Sequence, residues 1–446
     1  ELFARVAAEA IRAYDIQVEY GHLDSTTFAV HGEYDSAYAE SMVENMHAVE
    51  IRRGYSRDQR PDLKQVVVNL ITSQASALPI WLEVLDGNSN DKRTFQDTVK
   101  AYCAALAEGE SPPWFVMDSA GYSRDNLQAW ESIPWITRVP ETLNDAKDLL
   151  RAVSTEAMVP VNADYRVCAV CTWYAGVNQR WLLVRSQQAF VRETKRFRAQ
   201  IAQQEAQQQK AWRRLCRRRF QCEADAYEAV NRFADELRWW TIEPTVTAVK
   251  QYHQTGRPAK DAAFDIVGWE IDGVLTLDEA AIADEAAWLG RFILATNILD
   301  EAVLPDARLL AVYKEQSSSV ERGFRFLKDP LFFADGLFLK NPARIMAMIM
   351  VMGIALLVYA LAERELRAAL VENNETIPHQ TGKPTQNVTM RRVAQIFEGV
   401  DLLTIRAGQD VIGRQVLNLT PVRLKILDLF HPAVQNCYLL ISKCGM

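Results

Sequence analysis

The 446-residue chain is 49% hydrophobic and 24% charged, with a formal net charge of −7 at neutral pH. That length exceeds one ordinary domain and predicts a large core carrying an inserted or appended unit. The acidic balance excludes a uniformly basic nucleic-acid binder and leaves any polyanion contact to local surfaces.

Leu2 to Tyr14 has a helical pattern, and because the chain opens on Glu1 rather than Met, further natural sequence is expected before it. From Ile16 to Val30 the even positions, among them His22, Asp24 and Phe28, alternate with small or polar ones, which predicts a strand holding Asp24. Gln65–Thr72 (QVVVNLIT) and Leu78–Leu85 (LPIWLEVL) read as two more strands joined by the link Ser73–Ala77, completing an antiparallel meander. The turn Asp86–Asn90 then leads into a helix with an apolar face of Phe95, Val99, Tyr102 or Cys103, and Leu106. Trp114–Met117 is a short buried strand ending at Asp118, and Trp135–Val139 with Ala146–Ala152 supplies a further strand and helix.

From about Asp164 to Gly290 the character changes. Arg166–Tyr174 and Arg180–Ser186 are strand-like, Gln187–Leu237 is a long charged and Gln-rich helical region, Gly256-Arg257-Pro258 is a turn, and Phe264–Leu277 is extended. This stretch reads as an insertion of mixed helix and strand. Between Arg185 and Arg219 eleven basic residues, including Arg213, Arg214, Arg217, Arg218 and Arg219, face only Glu193 and Glu205, a local net of +9 that leaves about −16 elsewhere. Like charge at that density repels itself unless a polyanion lies against it, so the stretch is expected to bind nucleic acid; the plainer alternative is an exposed, solvated helix pair.

Arg291–Ile298 is again a strand, and Pro305–Lys328 reads as one helix stopped before Pro330. On it Lys314, Ser317, Glu321, Arg325 and Lys328 fall three or four residues apart in one polar stripe. Ile345–Ala362 has 18 residues without a charge, the lower limit of a membrane span. A buried core helix is the preferred reading, because one late short span in a chain of mixed polarity is an unusual topology, and Asn341-Pro342 marks its start. The seven scattered cysteines, with no leader pattern ahead of them, point to a reducing cytoplasm. Cys168 and Cys171 with Cys216 and Cys222 make only a loose candidate zinc set, His22 reads as packed and hydrogen-bonded, and Trp239-Trp240 reads as core before it reads as a base-stacking pair.

Asp24 in the first strand, Asp118 at the end of the fourth and Glu321 on the late helix are the candidates for metal chemistry, and they would converge only in a particular fold. Asp24, Asp118 and Glu321 offer the oxygen ligands that hard divalent cations prefer, and phosphodiester cleavage uses two such ions about 4 Å apart. Arg325 and Lys328 on the same helix would grip phosphate oxygens. The segments HLDSTTFAVHGEY (22–34), GYSRDQRPDLKQVVVNL (54–70), VMDSAGYS (116–123), WITRVPET (135–142), YKEQSSSVERGFRFLKDP (313–330) and IPHQTGKPTQNVT (377–389) closely resemble the bacterial insertion-sequence DDE transposases, in the subgroup with an insertion between the second Asp and the Glu.

The resemblance implies an α/β, ribonuclease-H-like mixed sheet with flanking helices, whose order of antiparallel meander, helix and acid-terminated strand matches the reading above. It implies core residues 1–160 and 291–375, an α+β insertion at 161–290, and a helical C-terminal region at 376–446. It implies cut-and-paste transposition on Mg2+ (two ions, with Mn2+ able to substitute), and catalytic and metal-binding roles for Asp24, Asp118 and Glu321. It also implies double-stranded DNA partners (terminal inverted repeats and target), a homodimer on DNA and a cytoplasmic, nucleoid-associated location. Lys64, Arg138, Tyr313, Arg322, Arg325, Lys328 and Lys383 are the implied DNA contacts within the motifs. The wider family's Tyr-x2-Arg-x3-Glu-x6-Lys pattern keeps Glu321 and Lys328, whereas Tyr313 lies one residue too far upstream and Ser317 stands at the Arg position. A non-catalytic, domesticated descendant that only binds DNA is the alternative, and retention of all three acids weighs against it.

Overall fold

The computed structural model describes residues 2–32, 48–56, 60–74, 77–253, 263–329, 336–337, 339 and 341–439. The predicted turn at Gly256-Arg257-Pro258, Pro330 and Cys444 lie outside them. The chain forms two compact units, one of Glu1–Arg138, Trp173–Gln179 and Thr296–Met446, the other of Val139–Thr172 and Arg180–Ala295.

The first unit opens with α1 (Leu2–Ala13), β1 (Tyr20–Val30), β2 (Lys64–Ser73), β3 (Pro79–Leu85), α2 (Asp91–Ala105), β4 (Trp114–Met117), α3 (Arg124–Ala129) and β5 (Trp135–Arg138). These strands lie in the order β3-β2-β1-β4-β5. β1 pairs antiparallel with β2, and β2 with β3, whereas β4 runs parallel to β1 and β5 parallel to β4. A mixed sheet of this kind needs a covered centre, and β2 is accordingly buried along nearly its whole length, which is why its QVVVNLIT run has no polar alternation. α2 starts where Asn90 accepts a hydrogen bond from the Lys92 N–H, and it buries Phe95, Thr98, Val99 and Tyr102.

Next come α4 (Asn144–Ala152), β6 (Val159–Pro160), β7 (Tyr165–Tyr174), β8 (Val177–Ser186), α5 (Gln187–Cys216), β9 (Arg219–Phe220), α6 (Glu223–Asp235), β10 (Trp240–Tyr252), β11 (Phe264–Leu277), α7 (Glu279–Ala286) and β12 (Arg291–Thr296). Strands β12, β8, β7 and β6 follow one another in that order, and β10, β11 and β9 make a separate sheet. The helical region expected from Gln187 to Leu237 is interrupted: Phe220 pairs with Trp269 and Arg219 with Glu270 in β9, and the Cys222 thiol then caps α6. The reason is apolar. Phe220 joins Trp212, Val230 and Ile271 in a buried cluster that a continuous helix could not reach. Trp239 and Trp240 are buried with Phe197 in a second cluster, so the pair is core.

The chain returns to the first unit with α8 (Asp306–Lys314), a 3-10 turn (Glu315–Ser318), α9 (Val320–Leu327), β13 (Gly336–Leu337), α10 (Pro342–Glu372), β14 (Ile377–Pro378), β15 (Pro384–Thr385), α11 (Met390–Phe397), β16 (Asp401–Ala407), β17 (Asp410–Leu417), α12 (Pro421–Asp428) and α13 (Pro432–Leu439). Three expectations are corrected here. β12 stops two residues early, because the Thr296 hydroxyl accepts from the Ile298 N–H at 3.1 Å and turns the chain. The single helix expected over Pro305–Lys328 is broken at Ser319, whose backbone sits at φ −107°, ψ −91°. Three successive serines cause the break: Ser317 donates to the Lys314 carbonyl at 3.1 Å, Ser318 to Glu315 at 3.0 Å and Ser319 to Glu315 at 2.9 Å, each competing with the helical ladder. The C-terminal region, expected to be helical, also contains the hairpins β14–β15 and β16–β17.

α10 begins as expected, with Asn341 accepting from the Ala343 and Arg344 N–H groups and Pro342 in the first turn. It is long and apolar enough to cross a membrane, and 39% of its most apolar window is buried. Its inner face, Ile345, Ile349, Met352 and Leu356, packs with Val320, Phe324 and Leu327 of α9 onto Phe28 of β1 and Val66, Val68 and Leu70 of β2. Close approach of α9 to the sheet depends on Gly323, where a Cβ would stand 3.0 Å from Leu70 and 3.3 Å from Leu356. Gly323→Val should therefore lower stability by about 1–3 kcal/mol through overpacking, read as the shift of a urea midpoint; an unshifted midpoint would show that α9 is free to back away.

Candidate active site

Asp24 and Asp118 are brought together by strand register. Leu23 pairs with Met117 across the parallel β1–β4 ladder, so the two aspartates follow paired residues on neighbouring strands about 4.8 Å apart. Alternation puts both on the face that carries Phe28 and meets α9. Both are half-buried. Asp24 Oδ1 accepts from the Ser25 N–H at 2.7 Å, and Ser25, pointing to the opposite face, donates its hydroxyl to Asp91 at 2.7 Å. Asp118 caps the short turn Ser119–Gly121 by accepting from the Ala120 N–H at 2.9 Å, and its carbonyl accepts from the Thr137 hydroxyl at 2.6 Å. The Asp-Ser-Ala-Gly segment and the Thr of β5 thus fix one carboxylate between them.

Glu321 is exposed on α9, two residues before Gly323. Gly323 rests on Leu70, and Leu70 is the antiparallel partner of Asp24, so the helix turn carrying Glu321 lies over the strand pair carrying Asp24. The half-buried phenol of Tyr313 on α8 marks where the charges meet. Burial is the main cause that pushes its pKa up to about 12, and the fields of Arg138, Asp118, Glu321 and Asp24 all reach it, Arg138 opposing the rise and the three carboxylates adding to it. At neutral pH that hydroxyl is a hydrogen-bond donor and not a base.

The other predicted residues are spread more widely. Lys328 is half-buried with its Nζ 5.6 Å from the Phe28 ring centroid, and Arg325 is exposed on the same helix. Arg322 is engaged with Glu363. Lys64 pairs with Val30, six residues along β2 from Leu70 and so about 20 Å from Asp24. Lys383 is exposed between β14 and β15. In the second unit Arg213, Arg214 and Arg217 are exposed, Arg218 lies 5.1 Å from the Phe220 ring centroid, and Arg219 meets Glu270 at 3.1 Å. His22, two residues before Asp24 on the same face, is fully buried. Neither of its ring nitrogens has a hydrogen-bond partner among the described residues, contrary to the bonded histidine expected, and desolvation lowers its pKa to about 4.

The sequence reading missed Thr137 and the buried Glu363. The latter had a signal: Ile349, Met352, Leu356 and Ala360 make a buried stripe at helical spacing, and Glu363 is its next member.

The donor set suits hard divalent cations in kind, being carboxylate throughout. Among the described residues no group of three or more His, Cys, Asp or Glu side chains is gathered to hold a metal ion, the four candidate zinc cysteines included. The two aspartates are strand neighbours, and Glu321 joins them through the field around Tyr313 rather than through a closed cluster.

The arrangement defines a mixed α/β protein with a paired-carboxylate site on one face of a large sheet. The family profile of the transposase DDE domain matches residues 21–358, and the chain belongs to that family. A search of curated proteins gave no match. Among solved structures the chain is similar to piggyBac transposase in a synaptic complex with hairpin DNA, at 7% identity and a TM-score of 0.37, with 84% of this chain and 51% of that chain covered. It is also similar to the Mos1 transposase paired-end complex with the left transposon end, at 14% identity and a TM-score of 0.18, covering 30% and 39%. A Mos1 mariner paired-end complex with Mn gives 14% identity and a TM-score of 0.18, covering 31% and 41%. The chain thus spans about half the length of the piggyBac chain.

Proposed function

We propose that this chain is a cut-and-paste DNA transposase in which a ribonuclease-H-like core uses Asp24, Asp118 and Glu321 to cleave DNA at transposon ends and join the freed 3′-hydroxyl to target DNA. The observation that carries the reading is the juxtaposition of Asp24 and Asp118 on one face of neighbouring parallel strands, with Glu321 in the same electrostatic neighbourhood. Support comes also from the order β3-β2-β1-β4-β5, which is that of a ribonuclease-H-like sheet, and from family membership. We read an insertion at 161–290 between the second Asp and the Glu, with core residues 1–160 and 291–375 on either side and a C-terminal region from 376; the second compact unit, Val139–Thr172 and Arg180–Ala295, overlaps most of that insertion, and the residues from 376 fall in the first unit.

Mg2+ or Mn2+ would be held by Asp24, Asp118 and Glu321, and when bound would activate the attacking oxygen and stabilise the leaving one. The chain's own part is placement. Thr137 and the Ala120 N–H hold Asp118, the Tyr313 hydroxyl stays protonated to donate a hydrogen bond, and Lys328 and Arg325 offer cations to phosphate oxygens. The partners are double-stranded terminal repeats and target DNA bound by a homodimer, in a bacterial cytoplasm. Mg2+-dependent strand cleavage of DNA bearing the element's ends tests the reading.

The exposed basic run at the end of α5 would supply sequence-independent affinity. Reversing Arg217, Arg218 and Arg219 to Glu should weaken DNA binding and flatten its salt dependence by about 0.9 in slope for each phosphate no longer neutralised. A gel-shift titration in salt reads this, and an unchanged slope would remove the run from the interface. The surface pair Arg219–Glu270 does not protect it, being about half exposed on both sides.

A further inference from the structure

We infer that Glu363 is the positioning residue for Glu321, acting through Arg322. This inference rests on the metal-dependent reading of the acidic site. α9 is only eight residues long and is severed from α8 at Ser319, so its orientation cannot be inherited from the preceding helix. Its apolar face is seated by Val320, Phe324 and Leu327, but apolar contacts along one side of a two-turn helix fix its roll less narrowly than a directional polar contact on another side. The residue beside Glu321 supplies such a contact. Arg322 donates to Glu363 of α10, which is 4% exposed, and Arg367, one turn further along α10, meets the same carboxylate oxygen at 2.6 Å. The other oxygen accepts from the Met390 N–H at 3.1 Å, where α11 begins.

The far end of α9 is tied in the same direction. Asp329, just past the helix, meets Arg391 of α11 at 2.7 Å, and the Arg391 N–H donates to the Tyr359 hydroxyl at 2.9 Å. Two ion pairs therefore hold α9 against α10 and α11, around a cavity of about 230 Å³ lined in part by Arg322, Phe326, Tyr359 and Glu363. Since 100° of roll separates adjacent helical residues, the angle at which Arg322 is clamped sets the angle at which the exposed Glu321 is presented on the flank of α9. A charge buried in an apolar helix with three donors on its two oxygens is a costly feature to keep for packing alone. Orientation of a metal-site carboxylate by an outer residue is the use that fits it.

The experiment is Mn2+ binding to the whole chain, followed by electron paramagnetic resonance, for wild type, Asp118→Asn, Glu363→Gln, Glu363→Asp and Leu366→Ala. Leu366 is fully buried in α10, in the apolar cluster against which Met390 packs; it is uncharged, so its truncation loosens the same region without removing an ion pair, and it serves as a destabilised control. Glu363→Gln should weaken the Mn2+ binding that Asp118→Asn abolishes by about 10- to 100-fold. Glu363→Asp keeps the charge balance, and with it the fold, but shortens the reach to Arg322; it should give a smaller loss in the same sense. Leu366→Ala should leave the Mn2+ constant within about twofold of wild type at a comparable loss of thermal midpoint. Wild-type Mn2+ binding in both Glu363 variants, or an equal loss in Leu366→Ala, overturns the inference while the metal site stands. Absence in wild type of any Mn2+ site sensitive to Asp118 overturns the metal reading and this inference with it.

Discussion

Asp118→Asn should abolish metal-dependent strand cleavage, by on the order of a thousand-fold or about 4 kcal/mol of barrier, while leaving the fold and DNA binding intact. The amide oxygen of Asn can still accept from the Ala120 N–H, and the backbone carbonyl still accepts from Thr137, so the turn after β4 has no reason to move. What disappears is the negative charge beside Asp24. The measurement is cleavage of a labelled duplex bearing the element's ends over a range of Mg2+, run beside a gel shift on the same duplex. Equal cleavage by both proteins would sink the catalytic assignment, and a gel shift with cleavage by neither would favour a chain that only binds DNA.

The second large effect concerns acid stability. His22 is buried and neutral, and desolvation takes its pKa from the ordinary 6.5 to about 4. In the unfolded chain it would take up a proton at its ordinary value, so between those limits the unfolded state binds more protons than the native one. Its contribution to stability is therefore complete above pH 6.5, is lost progressively as the pH falls toward 4, and changes no further below that. The swing amounts to about 3 kcal/mol. Urea unfolding of metal-free protein at pH 7.5 and at pH 4 should show a smaller pH dependence for His22→Phe than for wild type, by about that amount. Parallel pH profiles would mean that the ring is protonated or solvated in the native state.

The central strands, and the strand positions of both aspartates, were legible because the alternation in β1 and the unbroken apolar run in β2 both suit extended chain; that β1 is buried on both faces, its small and hydroxyl residues included, was not announced by the alternation. The start of α10 was legible for a local reason, an Asn cap followed by Pro. The break at Ser319 was hidden, since a Ser-rich stretch at helical spacing looks like a solvated face until its hydroxyls are seen to bond the preceding carbonyls. The C-terminal hairpin β16–β17 was hidden for the opposite reason. Leu402, Leu403, Ile405, Val411 and Ile412 are all exposed, so no in-and-out pattern marks the strands, and only the turn at Gly408, with φ 63°, hints at them. Glu321 was legible as a member of a motif, whereas the ion pairs that orient its helix depend on α10 and α11, dozens of residues away.

The break at Ser319 also bears on how such a chain tolerates change in length. In a continuous helix, one residue inserted before Glu321 would swing every earlier side chain by about 100° relative to it, and the phenol displaced by one position from the family spacing would point elsewhere. Here Tyr313 and Glu321 belong to separate helices joined by a 3-10 turn, and the phenol still lies in the field of all three acids. The serine segment acts as a slip joint: an insertion or deletion there can be absorbed without retuning the site, so sequence spacing around this glutamate is a looser constraint than the geometry it is meant to encode.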